Sequence, residues 1–311
     1  RKIQILLESN GVKFHTFRIP SGERSKNLDL VKSIYEWLAE LNAERSDMIL
    51  GLGGGVVGDI SGFVAATYLR GIKFAQIPTT LLAMTDSSIG GKTGVDLSEG
   101  KNLVGVFHQP EFVLADLETL ETLKQRELNS GWAESIKHGL ILDKCLFNDM
   151  KNNSSKLLSL EKSVTLDIVK RSMKVKADLV SQDEKEQLGL RIKLNYGHTI
   201  GHAIEASTKY DLYLHGEAVS IGVVGAAMLS NYLGFITNQE VDLQKSVLKS
   251  FDLPTSYRDL DIEDVIRFMS VDKKRSSGNI RWVILESIGN ASTAQNVSMD
   301  SVKNILQELK K

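Results

Sequence analysis

The sequence predicts an α/β fold: an amino-terminal domain on a parallel, Rossmann-like sheet, followed by a mostly α-helical domain. Three observations predict it. The first third alternates short apolar runs with amphipathic stretches, as βα units around a parallel sheet require. A glycine run, Gly51 to Asp59, follows an apolar strand directly and opens a helix. From about Arg126 onward the apolar spacing turns helical.

Taken in order, Leu30 to Leu41 reads as a helix with Val31, Ile34, Leu38 and Leu41 on one face. Asp47 to Leu52 reads as a buried strand, and Phe74 to Ile77 and Phe112 to Leu114 as two more. Helical periodicity then covers residues 131–145, 156–181, 196–208 and 216–233. The expected domains are residues 1–125 and 126–311, with a cleft between them. The chain opens in an apparent helix, without the strand that begins such a sheet, so a further amino-terminal segment is expected.

Composition excludes several classes. The chain has 311 residues, 42% hydrophobic and 25% charged, with net charge −1. No basic footprint for nucleic acid is present. The most apolar window, Ala218 to Leu229, falls short of the ~20 residues a membrane span needs and reads as a packed core helix. The opening RKIQILLESN lacks a signal-peptide core. One cysteine, Cys145, precludes an internal disulfide and fits a reducing cytoplasm; it reads as a small, at least half-buried apolar side chain.

GLGGGVVGD suits phosphate binding. Glycine lets the backbone approach an anion closely, and a helix start offers free N–H groups. Gly53, Gly55 and Gly58 satisfy GxGxxG, a weak pattern, and no acid follows about 20 residues on to hold a ribose. A second cluster, TDSSIGGKTGVD, fails as a P-loop because the required first glycine is Asp86. It reads as a loop in which Asp86, Lys92, Lys101 and Asn102, with Arg70, offer a site for an anionic, hydroxyl-rich ligand.

Three of the six histidines fall in YGHTIGHAIEASTKYDLYLHGE. His198 and His202 share a helix face, and His215 opens the next helix. Upstream, GWAESIKHGLI carries Glu134 and Lys137 one turn apart. Imidazole with carboxylate suits zinc or a related divalent metal. Spacing alone allows any three of Glu134, His198, His202, His215 and Glu217 as ligands; His138 reads as simple packing. Lys176, Arg191 and Lys273-Lys274-Arg275 lie nearby in sequence order, where some could clamp a phosphate and a carboxylate.

GGGVVGDISGFVAATYLRGI, IPTTLLAMTDSSIGGKTGVD, KNLVGVFHQP, GWAESIKHGLI, LNYGHTIGHAIE and LHGEAVSIG occur in the order typical of 3-dehydroquinate synthases, and the chain resembles that family from PSGERSK to DKKR. The resemblance implies NAD and a divalent metal, zinc or cobalt, as cofactors, a sugar acid phosphate as substrate, and a homodimer. It implies Glu23 and Lys26 near the adenosine, Gly54, Gly55, Val56 and Asp59 around the pyrophosphate and ribose, and Thr79, Thr80, Lys101 and Thr122 completing the cofactor site. Glu134, His198 and His215 match the family's metal ligands, and His202 a substrate-side or proton-transfer residue. Asp86, Lys92, Asn102, Lys137, Lys176, Arg191 and Asn195 match the substrate pocket, with Arg70 and either Lys274 or its neighbour Lys273 on the phosphate.

The implied reaction converts 3-deoxy-D-arabino-heptulosonate 7-phosphate to 3-dehydroquinate by transient oxidation, phosphate elimination, re-reduction and intramolecular aldol closure, a shikimate-pathway step. Three departures stand out. The family's first strands, with their ribose acid, are absent; DEKEQLGLR has one residue more than usual before Arg191, which loosens the match of Glu186; and Lys124 replaces a common proline. The rival readings are another sugar phosphate cyclase, such as a 2-deoxy-scyllo-inosose or valiolone synthase, a metal-dependent polyol dehydrogenase, and a non-catalytic NAD-binding protein.

Overall fold

A computed structural model describes residues 2–275 and 280–311, the side chains of 270–275 excepted. Helix α1 (Lys2–Ser9) buries none of its residues. Helix α2 (Leu28–Glu40) starts where the Asn27 side chain accepts from Leu30 N at 2.9 Å, and buries Val31, Ile34 and Leu38. Leu41 ends that helix instead of joining its apolar face.

Strand β1 (Met48–Gly53), helix α3 (Gly55–Thr67) and strand β2 (Lys73–Pro78) form one βαβ unit with a parallel register, Met48 opposite Lys73 through Gly53 opposite Pro78. The third expected strand shrinks to a single parallel bridge, Gln76 to Val113. Val31, Ile34, Leu38, Ile60, Phe63, Val64 and Val95 make this half's core.

The second glycine cluster is not a loop. Its first part ends a helical turn, Ala83–Ser87, and from Lys92 it enters an antiparallel hairpin, β3 (Lys92–Leu97) with β4 (Gly100–Phe107). Alternation hides here because Gly94 and Gly105 face each other across the two strands. A Cβ on Gly94 would lie 2.6 Å from Val104 O, and one on Gly105 2.5 Å from Thr93 O, so only glycine allows the strands this close.

The second half comprises α4 (Gln125–Leu142), α5 (Lys144–Asn152), α6 (Ser154–Leu158), α7 (Lys162–Gln182), α8 (His198–Ser207), α9 (His215–Tyr232), α10 (Asn238–Ser250) and α11 (Ile262–Arg275). A hairpin of β5 (Trp282–Ser287) and β6 (Asn290–Ala294), which helical periodicity does not foretell, precedes α12 (Met299–Leu309). The expected 131–145 helix breaks at Asp143, whose side chain accepts from Leu146 N at 2.9 Å and starts α5. That start leaves Cys145 exposed, contrary to the buried expectation.

The apolar window 218–229 lies within α9, most of it buried. Glycines set how closely α9 meets α8. A Cβ on Gly222 would lie 1.9 Å from Gly197 O, and one on Gly201 3.1 Å from Ala218 O. No helix among the described residues is long and apolar enough to cross a membrane.

Candidate metal and substrate site

Helices α4, α8 and α9 bring three donors together. One ligand atom each of Glu134, His198 and His215 lie within 4.8 Å of one another. Nε2 of His198 is 3.3 Å and Nε2 of His215 is 3.4 Å from Glu134 Oε1. Both outer nitrogens face acceptors: His198 Nδ1 lies 3.2 Å from Tyr196 O, and His215 Nδ1 lies 3.2 Å from Glu205 Oε2. A carbonyl or carboxylate only accepts, so each Nδ1 donates and each Nε2 is turned to Glu134.

Glu134 is completely buried, and neither of its oxygens accepts a well-aligned hydrogen bond. Burial opposes its ionisation, but Lys137 and the two imidazoles outweigh that and hold its carboxyl well below the usual range. His198 is pushed down by burial and by Lys137, which keeps it neutral. Burial also works against a charged His215, yet the facing carboxylates of Glu134 and Glu205 raise it to about 10. A buried carboxylate with unused lone pairs and two oriented imidazoles fits a divalent cation.

Lys137 pairs closely with Glu134 across one turn of α4. On α7, Lys176 donates to Asp86 Oδ1 and to the Asp86 carbonyl, each at 2.7 Å. Burial opposes ionisation of Asp86, but Lys176 outweighs it and carries the carboxyl down to about 2. His202 stands beside His198 with ring centroids 5.1 Å apart, its side chain exposed. Lys92 Nζ lies 2.5 Å and Arg191 Nε 3.3 Å from Glu186 Oε1, so the loosely matched Glu186 holds both cations. Arg191 is buried and also donates to Glu184 O at 2.8 Å.

The glycine turn ends at Gly54, which starts α3 without a side-chain cap, leaving Gly55 and Val56 in its first turn. Thr79 N donates to Gly53 O at 2.9 Å, and a Cβ on Gly54 would lie 3.1 Å from the Thr80 methyl. Beside it, buried Lys26 donates to Asp59 Oδ2 and to Asn102 Oδ1, each at 2.5 Å. Burial raises Asp59 to about 6, with Lys26 opposing the rise. Lys101 pairs with Glu23 at 3.4 Å and lies 4.0 Å over the Tyr210 ring. Asn102, expected in the substrate pocket, therefore groups with the cofactor-side residues.

Three expected residues are not gathered in. Arg70 is exposed, with φ 68, and precedes β2. The glycine turn lies past the far end of that strand, roughly 17 Å away at 3.3 Å per residue. Within one chain Arg70 is thus remote from the turn. Thr122 is exposed, and its hydroxyl donates to Thr119 O at 3.3 Å. Asn195 is exposed just before Tyr196. The side chains of Lys273 and Lys274 lie outside the described residues.

Glu217, one of five donors that spacing allowed, is engaged elsewhere. Arg126 donates to both its oxygens at 2.7 Å, and Leu214 N donates to Oε2 at 2.8 Å. His138 is a buried packing residue whose Nδ1 lies 2.8 Å from Ser172 Oγ; burial and Lys137 push it down to about 3. Glu205 was missed by sequence reasoning. Its signal was the i, i+3 spacing from His202, which puts both on one face of α8. Burial opposes its ionisation, but the bond and charge of His215 hold its carboxyl below the usual range.

Both halves of the chain are similar to known proteins. The family models for the 3-dehydroquinate synthase N-terminal and C-terminal domains match residues 16–130 and 131–275. The 3-dehydroquinate synthase of Geotalea uraniireducens is 46% identical over 288 residues, 93% of this chain and 80% of that protein. A 2-epi-5-epi-valiolone synthase structure from Streptomyces hygroscopicus, with NAD+ and Zn2+ bound, superposes with a TM-score of 0.92 at 27% identity, over 99% of this chain and 86% of the other. A 2-deoxy-scyllo-inosose synthase complexed with carbaglucose-6-phosphate, NAD+ and Co2+ gives 0.86 at 29% identity, over 98% and 86%. With both halves matched by the same family, the chain belongs to the 3-dehydroquinate synthases.

Proposed function

We propose that the chain converts 3-deoxy-D-arabino-heptulosonate 7-phosphate to 3-dehydroquinate and phosphate, using NAD and a divalent metal, zinc or cobalt. The observation that carries this reading is the pair of imidazoles presenting Nε2 to buried Glu134 beside two lysines, Lys137 and Lys176. When bound, NAD supplies a reversible hydride acceptor and the metal supplies Lewis acidity at the hydroxyl being oxidised.

The chain's own residues do the rest. Glu134, His198 and His215 hold the metal. Lys137 gives up its pairing with Glu134 to meet the substrate phosphate. Asp86 keeps the Lys176 ammonium aimed into the site. Lys92 and Arg191 exchange Glu186 for anionic or hydroxyl groups of the substrate, and exposed His202 moves protons to and from solvent. Gly54, Gly55 and Val56, at the open start of α3, take the pyrophosphate. Lys26, Asp59, Glu23 and Lys101 hold the adenosine side.

Residues 1–125 serve as the cofactor domain and 126–311 as the metal and substrate domain. A homodimer is supported by exposed Phe107, Phe112 and Leu114 near one another in sequence. A cytoplasmic location is supported by the exposed free thiol of Cys145, which suits a reducing compartment.

The test incubates metal-loaded protein with NAD and the heptulosonate phosphate while following phosphate and NADH together. Phosphate and dehydroquinate without accumulating NADH establish the synthase. Accumulating NADH points to a polyol dehydrogenase, and release from a neutral sugar phosphate alone to another cyclase.

A further inference from the structure

The two imidazoles of the metal site are oriented by different means. His198 gives its Nδ1 proton to a backbone carbonyl, Tyr196 O, at 3.2 Å. His215 gives its own to a side chain, Glu205 Oε2, also at 3.2 Å. Glu205 is only 6% exposed, near the carboxyl end of α8, so its carboxylate is held in place by the α8–α9 packing. His215 is the first residue of α9, with little helix behind it to fix its ring.

A carboxylate offers no proton, so Glu205 accepts from Nδ1, and once the imidazole is neutral its Nε2 lone pair is the one that faces Glu134, 3.4 Å away. Its full charge also makes that imidazole a stronger ligand than a carbonyl would. We infer that Glu205 is a positioning residue of the metal site, one that selects the His215 tautomer and sets metal affinity without touching the metal. This rests on the reading of Glu134, His198 and His215 as the ligands. One competing arrangement exists: His202, Glu205 and His215 also present one ligand atom each within 4.8 Å of one another, which would suit a second ion.

The experiment strips the full chain of metal and titrates zinc against a chromogenic chelator. It compares wild type, Glu205→Ala, Glu205→Gln and His198→Ala, and measures NAD binding in each. Glu205→Ala is expected to weaken zinc binding about 10- to 100-fold. Glu205→Gln, which keeps an acceptor but not the charge, should fall between, with NAD binding within about twofold throughout. Cobalt-loaded Glu205→Gln should show a shifted visible band, which a purely structural role would not produce.

If both Glu205 variants keep wild-type zinc affinity while His198→Ala loses it, the positioning role is overturned and the ligand set stands. Full zinc affinity in His198→Ala overturns the ligand set, and this inference with it. Two zinc ions in wild type falling to one in Glu205→Ala would make Glu205 a ligand of a second ion instead.

Discussion

Lys176 on α7 holds Asp86 from both sides, its Nζ 2.7 Å from the side-chain oxygen and 2.7 Å from the carbonyl. The pair joins the cofactor half to the helical half at the point where the two lysines meet the metal donors. Asp86 lowered to about 2 contributes stability that is fully present above its ordinary value of 3.8 and is lost as pH falls through 2. Asp86→Asn should therefore cost about 2 kcal/mol in urea unfolding above pH 4, and the difference from wild type should close toward pH 2. A gap that stays constant down to pH 2 would rule out this coupling.

Lys137 is buried and pairs with Glu134 across one turn of α4. On the proposed phosphate role of Lys137, Lys137→Ala should lower kcat/KM about 100-fold. Steady-state kinetics with unchanged metal content would check it, and near-normal turnover would defeat the assignment.

His215→Ala removes one of three converging donors and the partner of Glu205. Bound zinc after dialysis, measured by elemental analysis, should fall well below one ion per chain. Unchanged zinc would require another ligand set.

Lys26 is buried against Asp59, whose carboxyl burial raises to about 6. A raised carboxyl is stabilising when protonated, so ionised Asp59 depends on Lys26 at higher pH. Lys26→Met should cost about 3 kcal/mol at pH 8, and the cost should shrink below pH 6 as Asp59 takes a proton. Chemical denaturation at the two pH values tests this, and an equal cost at both would contradict it.

Gly222→Ala places a methyl 1.9 Å from Gly197 O, in the seam between α8 and α9. The helices must separate, at a cost of about 3 kcal/mol. Because His198 and His215 ride on those helices, zinc affinity should fall with Tm. Normal zinc binding in a destabilised protein would show that the seam does not set the donor spacing.

The amino-acid sequence by itself determined helices α2, α4, α7, α8 and α9, the βαβ unit with its glycine turn, and the family, since these rest on local periodicity and on motifs read in line. It carried Glu134, His198 and His215 as candidates, but spacing gave Glu217 equal standing. Only packing separated them, because Glu217 is held by Arg126 at 2.7 Å while Glu134 Oε1 lies within 3.4 Å of Nε2 of both His198 and His215. The hairpin β3–β4 was illegible because glycine at 94 and 105 erases the two-residue alternation that marks a strand. Glu205 and Glu186 acquired roles, and Arg70 lost its place within one chain, for a shared reason. Which charge neutralises which, across gaps such as the one between Lys92 and Glu186, depends on where helices and loops come to lie in space, and periodicity along the chain does not encode that.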